Sequence, residues 1–139
     1  MSDDTLLEFE RAYRGCFCTI QQRDYDWVFS FSAKGYINVA SPWRIIQNGR
    51  IAFNGRNPSG WHTDGLLEGR LVQCIELDRA TADIHLHFND QTRIDIFNGE
   101  SGYEGWQAGF RIGGEGVLLV GLGGGDVAIF RGAEPMENT

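Results

Sequence analysis

Asp26-Trp27-Val28-Phe29-Ser30-Phe31, followed by Tyr36-Ile37-Asn38-Val39, is the stretch on which the reading of this 139-residue chain turns, because it occurs in outline a second time. The second copy is Asp83-Ile84-His85-Leu86-His87-Phe88, followed by Arg93-Ile94-Asp95-Ile96. Without a gap, and at an offset of 57 residues, Asp26, Phe29, Phe31, Ile37 and Val39 fall opposite Asp83, Leu86, Phe88, Ile94 and Ile96. Each copy reads as an acidic start, an alternating strand, a turn and a second alternating strand. Alternation at period two sends every second side chain to one face of a strand. Phe29, Phe31, Ile37, Val39, Leu86, Phe88, Ile94 and Ile96 are therefore predicted to supply the centre of the core.

The likeness extends outward. Leu6-Leu7-Glu8 precedes the first copy and Leu66-Leu67-Glu68 the second. Downstream, Trp43 leads to Asn48-Gly49 and Arg50-Ile51-Ala52-Phe53; Trp106 leads, after extra residues, to Val117–Val120, Gly123-Gly124-Gly125 and Asp126-Val127-Ala128-Ile129-Phe130. The pattern predicts one domain over 1–139 with an internal duplication at about 5–55 and 64–131. Thr5 with Glu8 fits a capping box, and Leu6, Phe9 and Tyr13 share a helical face, so a short helix is expected to open the chain and stop at Gly15. Cys16 to Gln22 and Asp26 to Ser32 read as strands, and Asn48-Gly49 between two apolar runs reads as a tight hairpin. Asn54 to Gly65 reads as a polar surface loop within the domain. The fold expected is mainly β, of α+β type: about ten short antiparallel strands from two similar units packed around one core.

Composition sets limits. With 19 acidic and 12 basic residues the net charge is −7, so the basic field of a phosphate-backbone binder is missing and no nucleic-acid partner is expected. Residues 1–57 hold seven positive and six negative charges, and residues 58–139 five positive and thirteen negative. Almost all of the acidity belongs to the second unit. The chain opens on Met1-Ser2-Asp3-Asp4 without a basic start or apolar run, and its longest apolar stretch, Val117–Val120, is far too short to span a bilayer. A cytoplasmic protein without a membrane partner is the expectation. The three cysteines, an odd number, argue against a disulfide framework.

Few residues suggest chemistry. His85 and His87 lie two apart on one strand and share a face; Asp95 on the next strand can join them, so the three form a candidate metal set. Cys16 and Cys18 also share a face, but a zinc site needs a second pair and Cys74 stands alone; they read as small apolar filler. Gly121-Leu122-Gly123-Gly124-Gly125-Asp126 has a strand after it and no lysine, so it reads as a hairpin turn and not as a phosphate loop. Gly99-Glu100-Ser101-Gly102-Tyr103 lacks the last glycine of a hydrolase elbow. No catalytic set stands out and no cofactor is expected. The four tryptophans exceed what two hairpin cores require. Trp61, in its polar loop, and the Tyr103-Glu104-Gly105-Trp106 segment are placed at a rim, where aromatic residues anchor partners.

Ser41-Pro42-Trp43-Arg44, then Asp83-Ile84-His85-Leu86-His87-Phe88, then Tyr103-Glu104 with Trp106 two residues on, resemble the motifs of a loose group of small uncharacterised bacterial proteins. The similarity spans most of residues 26–130, and the chain departs from it in having Asn89-Asp90-Gln91 where the turn commonly holds glycine. The resemblance implies no assigned activity, and it suggests an immunity-like protein. The function expected is thus a non-enzymatic, acidic protein-binding domain, immunity-like toward a basic toxin, using Trp61, Glu100, Tyr103, Glu104 and Trp106. The alternatives are a small-ligand or carbohydrate-binding module at Trp61, Trp106 and Arg111, and a metal-dependent enzyme at His85, His87 and Asp95. An exposed strand edge also leaves room for a homodimer.

Overall fold

The computed structural model describes residues 2–54, 64–99 and 105–132. In chain order its elements are α1 (Ser2–Arg11), β1 (Thr19–Gln22), β2 (Trp27–Ser30), β3 (Tyr36–Val39), β4 (Trp43–Gln47), β5 (Arg50–Asn54), α2 (Asp64–Leu67), β6 (Val72–Leu77), β7 (Ile84–Phe88), β8 (Thr92–Ile96), β9 (Trp106–Ile112), β10 (Glu115–Gly121) and β11 (Val127–Arg131). A single 3₁₀ turn, Gly123–Gly125, joins β10 to β11, so the glycine cluster is a hairpin connection. Among the described residues no helix is long and apolar enough to cross a membrane.

The strands form two antiparallel sheets, ordered β1-β2-β3-β9-β10-β11 and β5-β4-β8-β7-β6. Each half of the chain builds a three-stranded meander, then sends a hairpin across to the other half's sheet. The β4–β5 hairpin joins the second meander through β4–β8, and the β9–β10 hairpin joins the first through β3–β9. Trp43 stands opposite Ile96, and Trp106 opposite Val39, which is the residue matching Ile96 at the 57-residue offset. The halves are thus interleaved.

This arrangement corrects the predicted downstream correspondence. Trp106 begins β9, and the turn matching Asn48-Gly49 is Gly113-Gly114, not Gly123-Gly124-Gly125. Asn48 and Gly49 have φ of 54° and 79°, and Gly113 and Gly114 have 58° and 91°, the left-handed pair that a two-residue hairpin needs. β11 is therefore an added strand without a counterpart in the first half.

All eight residues predicted for the core centre are at most 1% exposed and belong to one buried cluster drawn from both sheets. Cys16 and Cys18 are buried in the same cluster, and burial pushes the Cys18 thiol pKa well up. The predicted Cys16–Gln22 strand is shorter as observed. Backbone at Cys16 and Gly15 bonds to Val72 of the second sheet, whereas β1 pairs with β2 of the first, so the chain changes sheets between them.

The helices close the sides. α1 begins before Thr5, so Thr5 is not its cap; its hydroxyl instead accepts a hydrogen bond from Arg131 Nη1 of β11 at 2.9 Å. On its other flank, Glu10 accepts from the Leu77 amide of β6 at 2.9 Å. α1 therefore bridges one edge strand of each sheet. α2 takes up Asp64 and Gly65, which the sequence assigned to a loop. It touches β1, and its Leu66 carbonyl accepts from Gln47 Nε2 of β4.

Candidate functional site

The outward face of the second sheet carries the charge cluster that alternation places there. His85, Asp95 and Arg44 are register partners across β7, β8 and β4. Asp95 is fully buried, and its carboxylate accepts from His85 Nδ1 at 2.6 Å, Arg44 Nε at 2.9 Å, and Arg93 Nε and Nη2 at 2.7 and 3.1 Å. Burial alone would raise its pKa, but the hydrogen bonds from Arg93, His85 and Arg44 outweigh that and hold it down at about 2. His87 turns instead to Glu76, 3.0 Å away. The predicted metal set does share a face, but the one carboxylate in it is occupied by two guanidinium groups. Those charges oppose a cation, and among the described residues no group of three or more His, Cys, Asp or Glu is placed to hold one.

Arg44 links this cluster to a cleft. Its guanidinium carbon lies 5.2 Å from the centre of the Phe97 ring. Beyond it opens a cavity of about 540 Å³ bounded by the β1–β2 turn (Arg23, Asp24, Tyr25, Asp26), by Trp27 and by the β3–β4 crossover through Pro42 to Trp43. The cleft sits where the chain passes from one sheet to the other, which is why one wall comes from each sheet. Trp27 and Trp43 meet edge to face with centroids 4.9 Å apart. Arg23 holds Asp26 in a two-pronged ion pair at 2.6 and 2.8 Å, which fixes the turn. At its tip Tyr25 is 95% exposed. Trp43 is 3% exposed, and its indole Nε1 is buried without an acceptor.

Of the other predicted site residues only Trp106 and Arg111 are among the described residues. Trp61, Glu100, Tyr103 and Glu104 lie outside the described residues. Trp106 was expected at a rim and is 1% exposed; it stacks on Phe9 with centroids 5.9 Å apart and donates Nε1–H to the Ala82 carbonyl at 2.8 Å. It faces inward because β9 alternates from a buried first residue. Arg111, five residues further along β9, is on the opposite face and exposed, donating to the Gly114 carbonyl. Trp106 and Arg111 therefore share no surface.

The cleft residues Tyr25, Trp27, Trp43, Arg44 and Phe97 were missed. A signal was present in the turn sequence Arg23-Asp24-Tyr25-Asp26, a polar tip with one aromatic, but only the sheet crossover brings it to Trp43 and Phe97. The short motifs behind the resemblance have structural duties: Ser41 Oγ donates to the Gly105 carbonyl, and Trp43-Arg44 begins β4. No protein-family model, curated protein or solved structure matches the chain.

Proposed function

We propose that the chain is a binding module for a small molecule, held in the cleft between Tyr25, Trp27, Trp43, Arg44 and Phe97. The observation that carries this reading is a concave, aromatic-lined cavity of about 540 Å³ whose arginine is locked in place by a buried carboxylate. That volume lies in the range of ordinary ligand sites, and a few fixed polar groups among aromatic walls is their usual make-up. Asp95 supports the reading because a guanidinium already oriented by a charged hydrogen bond loses little freedom when a ligand arrives. The binding class is one of the alternatives reached from the sequence, transferred from Trp61, Trp106 and Arg111 to a different set of aromatics. A basic protein partner has less support, since Trp106 of its proposed surface is core.

The test is a titration of isotope-labelled protein with a panel of mono- and disaccharides and small aromatic compounds, followed by amide and indole NMR. Chemical-shift changes confined to Tyr25, Trp27, Trp43, Arg44 and Phe97 are expected. The exposed Tyr25→Ala variant should fold normally and bind about tenfold more weakly, the usual worth of one stacking contact. Shifts clustered elsewhere, or none at millimolar concentrations, would overturn the proposal.

A further inference from the structure

Arg44 is the charged side chain through which the cleft meets the cluster on the outward face of the second sheet. It lines the cleft, its side chain is 38% exposed, and its guanidinium carbon lies 5.2 Å from the ring centre of Phe97, another lining residue. Its hydrogen bond to Asp95 uses Nε alone, and neither Nη group has a partner among the described residues. Asp95 does not neutralise it fully, because the same carboxylate also accepts two hydrogen bonds from Arg93. Glu76 stands on β6, at the far edge of the sheet from β4, and pairs with His87. The end of the cluster that borders the cleft therefore holds a half-used guanidinium and an excess of positive charge. The other polar groups of the lining are largely committed. Arg23 and Asp26 hold each other, and the Ser41 hydroxyl donates to the Gly105 carbonyl. Few polar side chains are left for a ligand rich in hydroxyls, whereas Tyr25, Trp27 and Phe97 supply aromatic surface.

Resting on the small-molecule reading above, we infer that the cleft takes an aromatic monocarboxylate, its ring among Tyr25, Trp27 and Phe97 and its acid group on Arg44. A carboxylate matches the planar pair of Nη groups with two parallel hydrogen bonds. Asp95 already fixes the guanidinium through Nε, so little freedom is lost when the acid group arrives. One negative charge suits the site and two do not. A phosphate ester, with nearly two charges at neutral pH, is opposed by Asp24 and Asp26 of the same lining and by Asp95 on the other side of Arg44.

The test titrates the whole chain with four probes. They are phenylacetate; phenylacetamide, which keeps the ring and removes the charge; phenyl phosphate; and glucuronate, which carries the acid on a ring of hydroxyls. The readouts are the side-chain Nε–H resonance of Arg44 and the affinities of the wild type and of Arg44→Gln, which leaves Arg93 and His85 on Asp95. Phenylacetate is expected to shift the Arg44 signal together with Tyr25 and Trp27, and to bind about tenfold more tightly than phenylacetamide, the worth of a charge-assisted hydrogen bond. Arg44→Gln should weaken the acid alone and bring the two to similar affinity. Should that variant fail to fold, the acid-against-amide comparison in the wild type decides the matter. Equal binding of phenylacetate and phenylacetamide would overturn the acid assignment. Tighter binding of phenyl phosphate would overturn the carboxylate, and tighter binding of glucuronate the aromatic ring. Compounds of the wider panel that shift the cleft residues while phenylacetate does not would remove the inference and leave the cleft reading intact. No response to any compound would remove both.

Discussion

Asp95 shows how a buried charge is kept in a small β protein. Its side chain is 1% exposed, and three donors from three strands converge on it. The pKa held at about 2 against the usual 3.8 means that the folded state favours the ionised form. The stability this contributes is fully present above pH 4 and is lost as pH falls through 2; it amounts to about 2 kcal/mol. Asp95→Asn should therefore unfold at lower urea than the wild type at pH 6, and the gap between the two should narrow steadily from pH 4 to pH 2. A gap that is unchanged at pH 2 would show that the carboxylate's charge is not what matters. Tyr13 illustrates the neutral counterpart. Its hydroxyl lies 2.9 Å from the carbonyls of both Tyr36 and Gly109, and its ring stacks on Phe31 with centroids 4.0 Å apart, so burial pushes its pKa up and the phenol stays protonated.

Among the elements, the ladders that join the halves should be the most protected. β3–β9 and β4–β8 lie in the interior of their sheets and link residues more than forty positions apart, whereas β1–β2 closes on a four-residue turn at a sheet edge. Opening the interior ladders requires separating the two units, so their amides are expected to exchange with solvent only by global unfolding. Hydrogen exchange followed by NMR checks this; slower exchange in β1 than in β9 would contradict it. Within β3–β9, Gly109 lies opposite Tyr36, and a methyl group added there would run into the Tyr36 ring. Gly109→Ala should destabilise by about 1–3 kcal/mol, the usual cost of overfilling a packed site, as measured by denaturant midpoint. Three of the four edge strands meet a helix: α1 packs on β6 and reaches β11, and α2 touches β1. This is a means of keeping unpaired backbone away from neighbouring molecules.

For the whole molecule, the crossing of hairpins makes the two units depend on each other. Cut between β5 and α2, the first half would keep the β1–β2–β3 meander and the β4–β5 hairpin but lose the partners of both β3 and β4. Neither half is expected to fold alone, and an equimolar mixture should recover the strand circular dichroism of the intact chain. A first half that folds unaided would refute the interdependence. Legible in the sequence alone were most of the strands, though not β6 or β9, together with the eight central core residues, the Asn48-Gly49 hairpin and the common face of His85, His87 and Asp95. These depend on period-two alternation and on local turn chemistry, which are properties of a few consecutive residues. It also carried the offset of 57, from which the repetition of the β2–β3 and β7–β8 hairpins follows. Long-range pairing, by contrast, sets the exchange of hairpins between sheets, the match of β10 rather than β11 to β5, and the burial of Trp106. Those outcomes rest on pairings between distant residues, which no local pattern encodes. Trp43 and Trp106 make the point together. Each opens a crossing strand and is buried, yet the Trp106 indole nitrogen meets the Ala82 carbonyl while that of Trp43 is buried without an acceptor, a difference that depends on chain brought in from another element.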